Sequence, residues 1–158
     1  MTSMIRLTLR LASLMALVSL GCGGGVGPKL VPAEGVLTLN GKPLVGATVV
    51  FHPENNKTQE GIGLTDDKGA FVVRTSTRAG AIPGKYKVTV EYYTKTDGAP
   101  LALSELERNQ GLDVSQLIAM GKAKPGVPSK YTEVISSDVR IEIKPDAKES
   151  ISIALAGQ

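Results

Sequence analysis

The chain has 158 residues, with 18 Lys and Arg against 15 Asp and Glu, and a single cysteine. This length is enough for one domain with a hydrophobic core, and a lone cysteine excludes an intramolecular disulfide. The basic residues form no cluster with interleaved aromatic side chains, so nucleic-acid binding is not expected.

The first 21 residues have the composition of a secretory signal peptide. Arg6 and Arg10 precede an uncharged, largely apolar run from Leu11 to Leu20, and the small residue Gly21 follows. A run of 10 residues is too short to cross a bilayer as a helix, which needs about 20. We therefore predict that residues 1–21 are a signal peptide. Without its two arginines, the rest of the chain has 16 basic and 15 acidic residues and is close to neutral.

The segment Val18-Ser19-Leu20-Gly21-Cys22 resembles the bacterial lipoprotein signal. The resemblance implies cleavage before Cys22, lipidation of its thiol and attachment of the chain to a membrane. Ser19 stands where that family usually has Leu or Val, so secretion with a free Cys22 thiol stays open, as does a retained N-terminal anchor. Gly23 is not the aspartate that retains lipoproteins in the inner membrane of enteric bacteria. The expected location is therefore the cell envelope, with the outer membrane favoured.

Residues 22–32 are rich in Gly and Pro and lack hydrophobic periodicity, which predicts a flexible tether. Residues 33–158 are expected to form one domain, because apolar residues from Glu34 onward recur at every second position, typical of strands with one buried face. Turn sequences such as Pro83-Gly84 separate the runs. Seven strands are predicted, with these inward residues: Leu37 and Leu39; Ala47, Val49 and Phe51; Ile62 and Leu64; Phe71 and Val73; Tyr86, Val88 and Val90; Val139, Ile141 and Ile143; Ile151, Ile153 and Leu155. This spacing predicts an all-β fold, a seven-stranded antiparallel sandwich.

Residues of about 95–132 interrupt this alternation and predict an insertion before the last two strands. Asp113 is placed to cap a short helix that carries Val114, Leu117 and Ile118 at helical spacing. Gly121 provides its C-terminal stop.

Three blocks lie between Glu34 and Tyr93: Gly35-Val36-Leu37 with Gly41-Lys42-Pro43-Leu44 and Gly46-Ala47-Thr48-Val49; Thr65 to Phe71; and Pro83 to Val88. Together they resemble carboxypeptidase regulatory-like domains. The resemblance implies a transthyretin-like Greek-key sandwich of seven strands. With the N-terminal signal and the segment from Pro128 to Tyr131, the chain is similar to small lipoproteins of planctomycete-type bacteria. Because this sandwich hosts many unrelated roles, the resemblance implies no chemistry.

Residues that could carry chemistry are few. Asp66 and Asp67 could offer oxygens to Ca²⁺, but the calcium-loop pattern is absent, and adjacent acids before Lys-Gly more often cap a turn. His52 is the only histidine, whereas a zinc site usually needs three or four ligands. We expect His52 and Thr89 to be solvated, each on the outward face of its strand. No nucleophile-elbow motif and no glycine-rich phosphate loop is found. We therefore predict no metal, no cofactor and no catalytic residue.

Interaction is then the expected role. Tyr92, Tyr93 and Tyr131 are candidates for a platform on which sugars stack, and Leu117 and Ile118 for a helical contact with a partner. We expect a non-enzymatic, lipid-anchored cell-envelope protein whose β-sandwich associates with protein or polysaccharide. The alternative is a carbohydrate-binding accessory module, and a less favoured one is an uncharacterised hydrolase. The membrane, through the lipid on Cys22, is the second expected partner.

Overall fold

The structure is a computed structural model, and it describes residues 27–55, 58–101 and 113–157. The predicted signal peptide, Cys22 and the first half of the predicted tether lie outside the described residues. Within those ranges the elements are β1 Glu34–Leu39, β2 Lys42–Pro43, β3 Thr48–Pro53, β4 Gly61–Leu64, β5 Ala70–Val72, β6 Arg74–Thr75, β7 Arg78–Ala79, β8 Gly84–Glu91, β9 Tyr93–Lys95, α1 Val114–Ala119, β10 Ala123–Pro125, β11 Arg140–Ile143 and β12 Ile151–Leu155. A short 3-10 turn, Ser129–Tyr131, follows β10.

The strands form two main sheets and one small pair. In the first sheet, β1 has β12 on one side, and β2 and β5 share its other side. The second sheet has the order β11-β8-β3-β4-β6-β7. β9 and β10 pair separately. The predicted all-β character is confirmed.

Two features of the connectivity differ from seven antiparallel strands. β1 and β12 run parallel, with Leu37 opposite Ile153, so the antiparallel prediction is wrong for this pair. The predicted fourth strand is divided at Val73, because β5 belongs to the first sheet and β6 to the second. Val73 N donates to Ala33 O at 2.8 Å, and Val73 O accepts from Gly80 N at 2.7 Å. The crossing residue therefore keeps both of its backbone hydrogen bonds.

The core lies between the two main sheets. β3 and β8 pair over six residues, which places their inward side chains on one face. The ring of Phe51 lies 6.0 Å from that of Tyr86 and 6.1 Å from that of Phe71, centroid to centroid, as aromatic pairs in cores prefer. The predicted inward residues that are confirmed as buried include Leu37, Ala47, Val49, Phe51, Phe71, Val73, Tyr86, Val88, Val90, Ile143, Ile153 and Leu155.

β4 presents the face opposite to the one predicted. Ile62 and Leu64 are 51% and 53% exposed, whereas Gly61 and Gly63 face the core. A Cβ on Gly63 would lie 3.2 Å from the ring of Phe71, which belongs to β5 of the first sheet and fills this part of the core. Glycine is therefore the residue that fits inside, and the two large apolar residues lie outside.

The domain boundaries also differ from the predicted ones. Val31 is buried and exchanges two backbone hydrogen bonds with Ala81, of 2.9 and 3.0 Å. The folded domain thus begins within the predicted tether 22–32. At the other boundary, Val127 and Tyr131 are part of the core, so the chain rejoins it before residue 132.

The short helix within the insertion is confirmed. Asp113 Oδ1 accepts from Gln116 N, and Gln116 Oε1 accepts from Asp113 N, both at 2.9 Å, which is a capping box. Gly121, at φ +68°, follows the last turn as predicted.

A tight approach at Gly35 provides a test of the packing of β1 between β12 and β5. A Cβ at this position would overlap Ile151 O and lie 2.8 Å from Phe71 Cζ. We expect Gly35→Ala to lower the free energy of unfolding by about 2–3 kcal/mol, as overpacked core positions do, measured by urea denaturation. Gly84→Ala is the matched control, since its Cβ would have its nearest neighbour at 3.9 Å. Equal losses in the two variants would contradict this packing.

Candidate interaction surfaces

One cluster in the second sheet joins a carboxylate, an imidazole and a hydroxyl in series. His52 Nδ1 lies 2.8 Å from Glu60 Oε1, and His52 Nε2 lies 2.9 Å from Thr89 Oγ1. An ionised carboxylate only accepts, so Nδ1 donates to Glu60, and in the neutral ring Nε2 accepts from the Thr89 hydroxyl. β3 supplies His52, β8 supplies Thr89, and Glu60 immediately precedes β4.

This order of groups also occurs in serine-hydrolase triads, where the hydroxyl attacks the substrate. Here the hydroxyl belongs to Thr89, which is 3% exposed and lies within a strand paired on both sides. A nucleophile must be accessible to its substrate, so the cluster fits a structural tie between strands better than a catalytic site. The prediction that Thr89 faces water is wrong, because its side chain is buried against the His52 ring. His52 lies on the outward face of β3 as predicted, but only 20% of its side chain is exposed, because Glu60 and Thr89 contact the ring.

Asp66 also has a structural role. Its Oδ1 accepts from Lys68 N at 2.9 Å and from Ala70 N at 2.8 Å, which caps the turn between β4 and β5. In the described part of the chain, no three His, Cys, Asp or Glu side chains are grouped so that they could hold a metal ion.

The three candidate tyrosines do not form one platform. Tyr131 is 4% exposed, and its hydroxyl accepts from Ala156 N at 3.2 Å, so it is a core residue and its prediction as a surface residue is wrong. Tyr92 is half-buried against the core and Gly126. Tyr93 is half-buried in β9. Burial raises the pKa of both the Tyr92 and the Tyr93 phenol, and the nearby Glu91 adds to the effect at Tyr93.

The two candidate helical residues lie in different environments. Leu117 is fully buried, so its prediction as part of an exposed surface is wrong. Ile118 is exposed on α1. The pair therefore presents a single apolar side chain to solvent.

A groove that the sequence did not predict lies beside the strand crossing at Val73. It has a volume of about 540 Å³, and Val36, Leu64, Ala70 and Val72 line it. Val36 and Val72 come from the first sheet, and Leu64 from the second; all three are more than a third exposed. We call it the apolar groove. The groove exists because Leu64 faces outward, and the packing of Phe71 and Val73 against the inner side of β4 determines that orientation.

Charged groups also line the apolar groove. Glu34, Asp66 and Arg74 are among its lining residues. Ile62, in the same outward row of β4 as Leu64, extends the apolar surface beyond it. Surfaces that combine exposed apolar side chains with polar and charged ones are common where proteins bind protein.

Comparison with known proteins finds no matching family model, no similar curated protein and no similar solved structure. Among the described helices, none is long and apolar enough to cross a membrane. The function of this chain must therefore be inferred from its own residues.

The tie formed by His52 predicts energetic coupling between β3 and β8. In a double-mutant cycle of His52→Ala and Thr89→Val, we expect a coupling free energy of about 1 kcal/mol, the usual contribution of such a hydrogen bond. Urea denaturation of the four proteins measures it. A cycle of His52→Ala with Ser115→Ala, on the exposed face of α1, serves as control and should be additive. Additivity in both cycles would show that the cluster does not stabilise the sheet.

Proposed function

We propose that this chain is a non-enzymatic, lipid-anchored protein of the cell envelope, whose transthyretin-like β-sandwich binds a protein partner at the apolar groove. The observation that carries the proposal is the groove itself. Three large apolar side chains, those of Val36, Leu64 and Val72, are exposed together on one surface instead of being buried in the core. The side chains that were candidates for catalysis or metal binding, by contrast, make structural hydrogen bonds; they are His52, Thr89 and Asp66.

The lining of the groove favours protein over polysaccharide. Sugars stack on aromatic faces, whereas the exposed apolar side chains of the groove are aliphatic, and Phe71, its one aromatic residue, is only 2% exposed. Apolar side chains of a protein partner would remove this surface from water, at about 25 cal/mol for each Å² buried. The carbohydrate-binding alternative requires exposed aromatic rings. Tyr92 and Tyr93 are only half-buried, but the ring of Tyr131 is buried in the core and cannot form a platform with them.

The anchor is supported by the sequence around Cys22 and by the start of the domain. Gly27 to Leu30 have no regular structure, and the chain joins the fold through Val31. Lipidated Cys22 would thus be separated from the domain by a short Gly-rich segment, and a second signal or acyl chain would make attachment stable.

Lipidation is tested at Cys22 itself. We expect the protein extracted from membranes to carry a diacyl or triacyl group on Cys22, seen as added mass in the intact protein. Cys22→Ala should lack this added mass and keep the same unfolding transition, because residue 22 lies outside the folded domain. Wild-type chain with an unmodified Cys22 thiol, recovered outside the membrane fraction, would contradict the anchor.

The partner surface is tested by photo-crosslinking in intact cells. A photoreactive residue replacing Leu64 should give one discrete adduct that protease, and not glycosidase, removes. The same residue at Thr77, which is also exposed, is the control and should give no such adduct. Substituting Val72→Ser should reduce the Leu64-position adduct severalfold. Identical adducts from positions 64 and 77 would contradict binding at the groove, and loss to glycosidase would favour the carbohydrate alternative.

A further inference from the structure

β12 has an edge that no described strand covers. It ends the strand order of the first sheet, with β1 on its only paired side. A cleft of about 450 Å³ separates it from β11, the last strand of the second sheet, and Ile141, Ile151 and Ser152 are among the residues that line this cleft. We call residues Ile151–Leu155, on the side away from β1, the open edge.

Three other strands that end a main sheet, β2, β7 and β11, are protected in ways that proteins commonly use against edge-to-edge pairing. β2 has two residues, one of them Pro43. β7 also has two residues, and Arg78 Nη2 donates to Pro28 O at 2.9 Å, which holds the N-terminal segment beside it. β11 carries Arg140 and Glu142 on its exposed face. The open edge, by contrast, has five residues and neither charge nor proline.

The direction of the backbone groups on β12 defines what can bind there. Asn40 N donates to Leu155 O at 2.9 Å, so the backbone of residue 155 faces β1. Bonding directions alternate along a strand, and the N–H and C=O groups of Ser152 and Ala154 therefore face the open edge. Ala156 N continues the same series, and it donates to the Tyr131 hydroxyl, which closes the edge at that point. Among the described residues, Ser152 and Ala154 thus keep four backbone groups that an added strand could bond.

We propose that the open edge pairs antiparallel with β12 of a second copy of this chain, about a two-fold axis at Ile153. This register sets Ser152 opposite Ala154 of the second copy, and each of the two pairs exchanges two backbone hydrogen bonds. The pairing satisfies all four free backbone groups and joins the two first sheets into one continuous sheet.

The side chains of β12 favour a second copy over an unrelated strand. The sequence Ile-Ser-Ile-Ala-Leu has large apolar residues at positions 151, 153 and 155 and small ones at 152 and 154, so its size pattern is the same in both directions. Antiparallel self-pairing consequently sets large beside large on the core face and small beside small on the outer face. The proposal uses neither the apolar groove nor Cys22, and it can succeed or fail without the proposed function.

The register is tested by disulfide trapping of the full chain in intact cells. Opposed residues of a hydrogen-bonded pair lie about 5.5 Å apart between Cα atoms, within disulfide range, whereas diagonal neighbours lie at about 7–8 Å. Differently tagged Ser152→Cys and Ala154→Cys chains, expressed together, should form a mixed disulfide dimer at least fivefold more than either variant alone. The wild-type chain is the blank, because any disulfide through Cys22 forms there too. Equal yields in all combinations would overturn the proposed register.

The dimer itself is tested by sedimentation of the detergent-solubilised full chain. We expect the wild-type chain to dimerise, and Ser152→Lys with Ala154→Lys to weaken the association at least tenfold, because like charges then face each other. Gln59→Lys with Thr77→Lys adds the same charge at exposed positions away from β12 and should dimerise as the wild type does. Cys22→Ala should also stay dimeric, which separates this test from that of the anchor. A monomeric wild-type chain, or equal weakening by both lysine pairs, would overturn the proposal.

Discussion

The pairing of β3 with β8 is the interaction on which the remaining structure depends. Its register over six residue pairs sets Val49 opposite Val90 and Phe51 opposite Val88, so that both strands contribute to one buried face. The same register brings His52 and Thr89 together on the other face. A shift by one residue would exchange the two faces, expose the apolar core residues and separate the tie. One backbone register thus determines the core and the polar cluster together.

A second constraint is the limited space between β4 and the crossing strand. Phe71 and Val73 fill the core beside β4, and the inward positions of β4 are left to Gly61 and Gly63. The large side chains of this strand consequently face solvent, where Leu64 becomes one wall of the apolar groove. The candidate binding surface and the packing of the core therefore have the same physical origin.

The sequence allowed the local features to be predicted, and the structure shows where local patterns are insufficient. Alternation correctly identified the inward residues of β3, β8 and β12, because each of these strands has one face against the core. The capping box at Asp113 was equally local. The parallel pairing of β1 with β12 and the burial of Thr89 depend on which strands become neighbours, and no pattern within a single strand encodes that choice. The faces of β4 were misassigned for the same reason, because the volume of Phe71 on another strand decides them.

The crossing at Val73 has a consequence for how the groove meets a ligand. Val72 and Arg74 lie on either side of this residue and belong to different sheets, so one short covalent connection fixes the two walls of the groove relative to each other. The hydrogen bonds of Val73 to Ala33 and Gly80 hold the connection in place. A groove built in this way is preorganised, and little conformational entropy is lost in its walls when a ligand binds. Binding there should leave the backbone of the sandwich almost unchanged, because the walls of the groove do not have to close around the ligand.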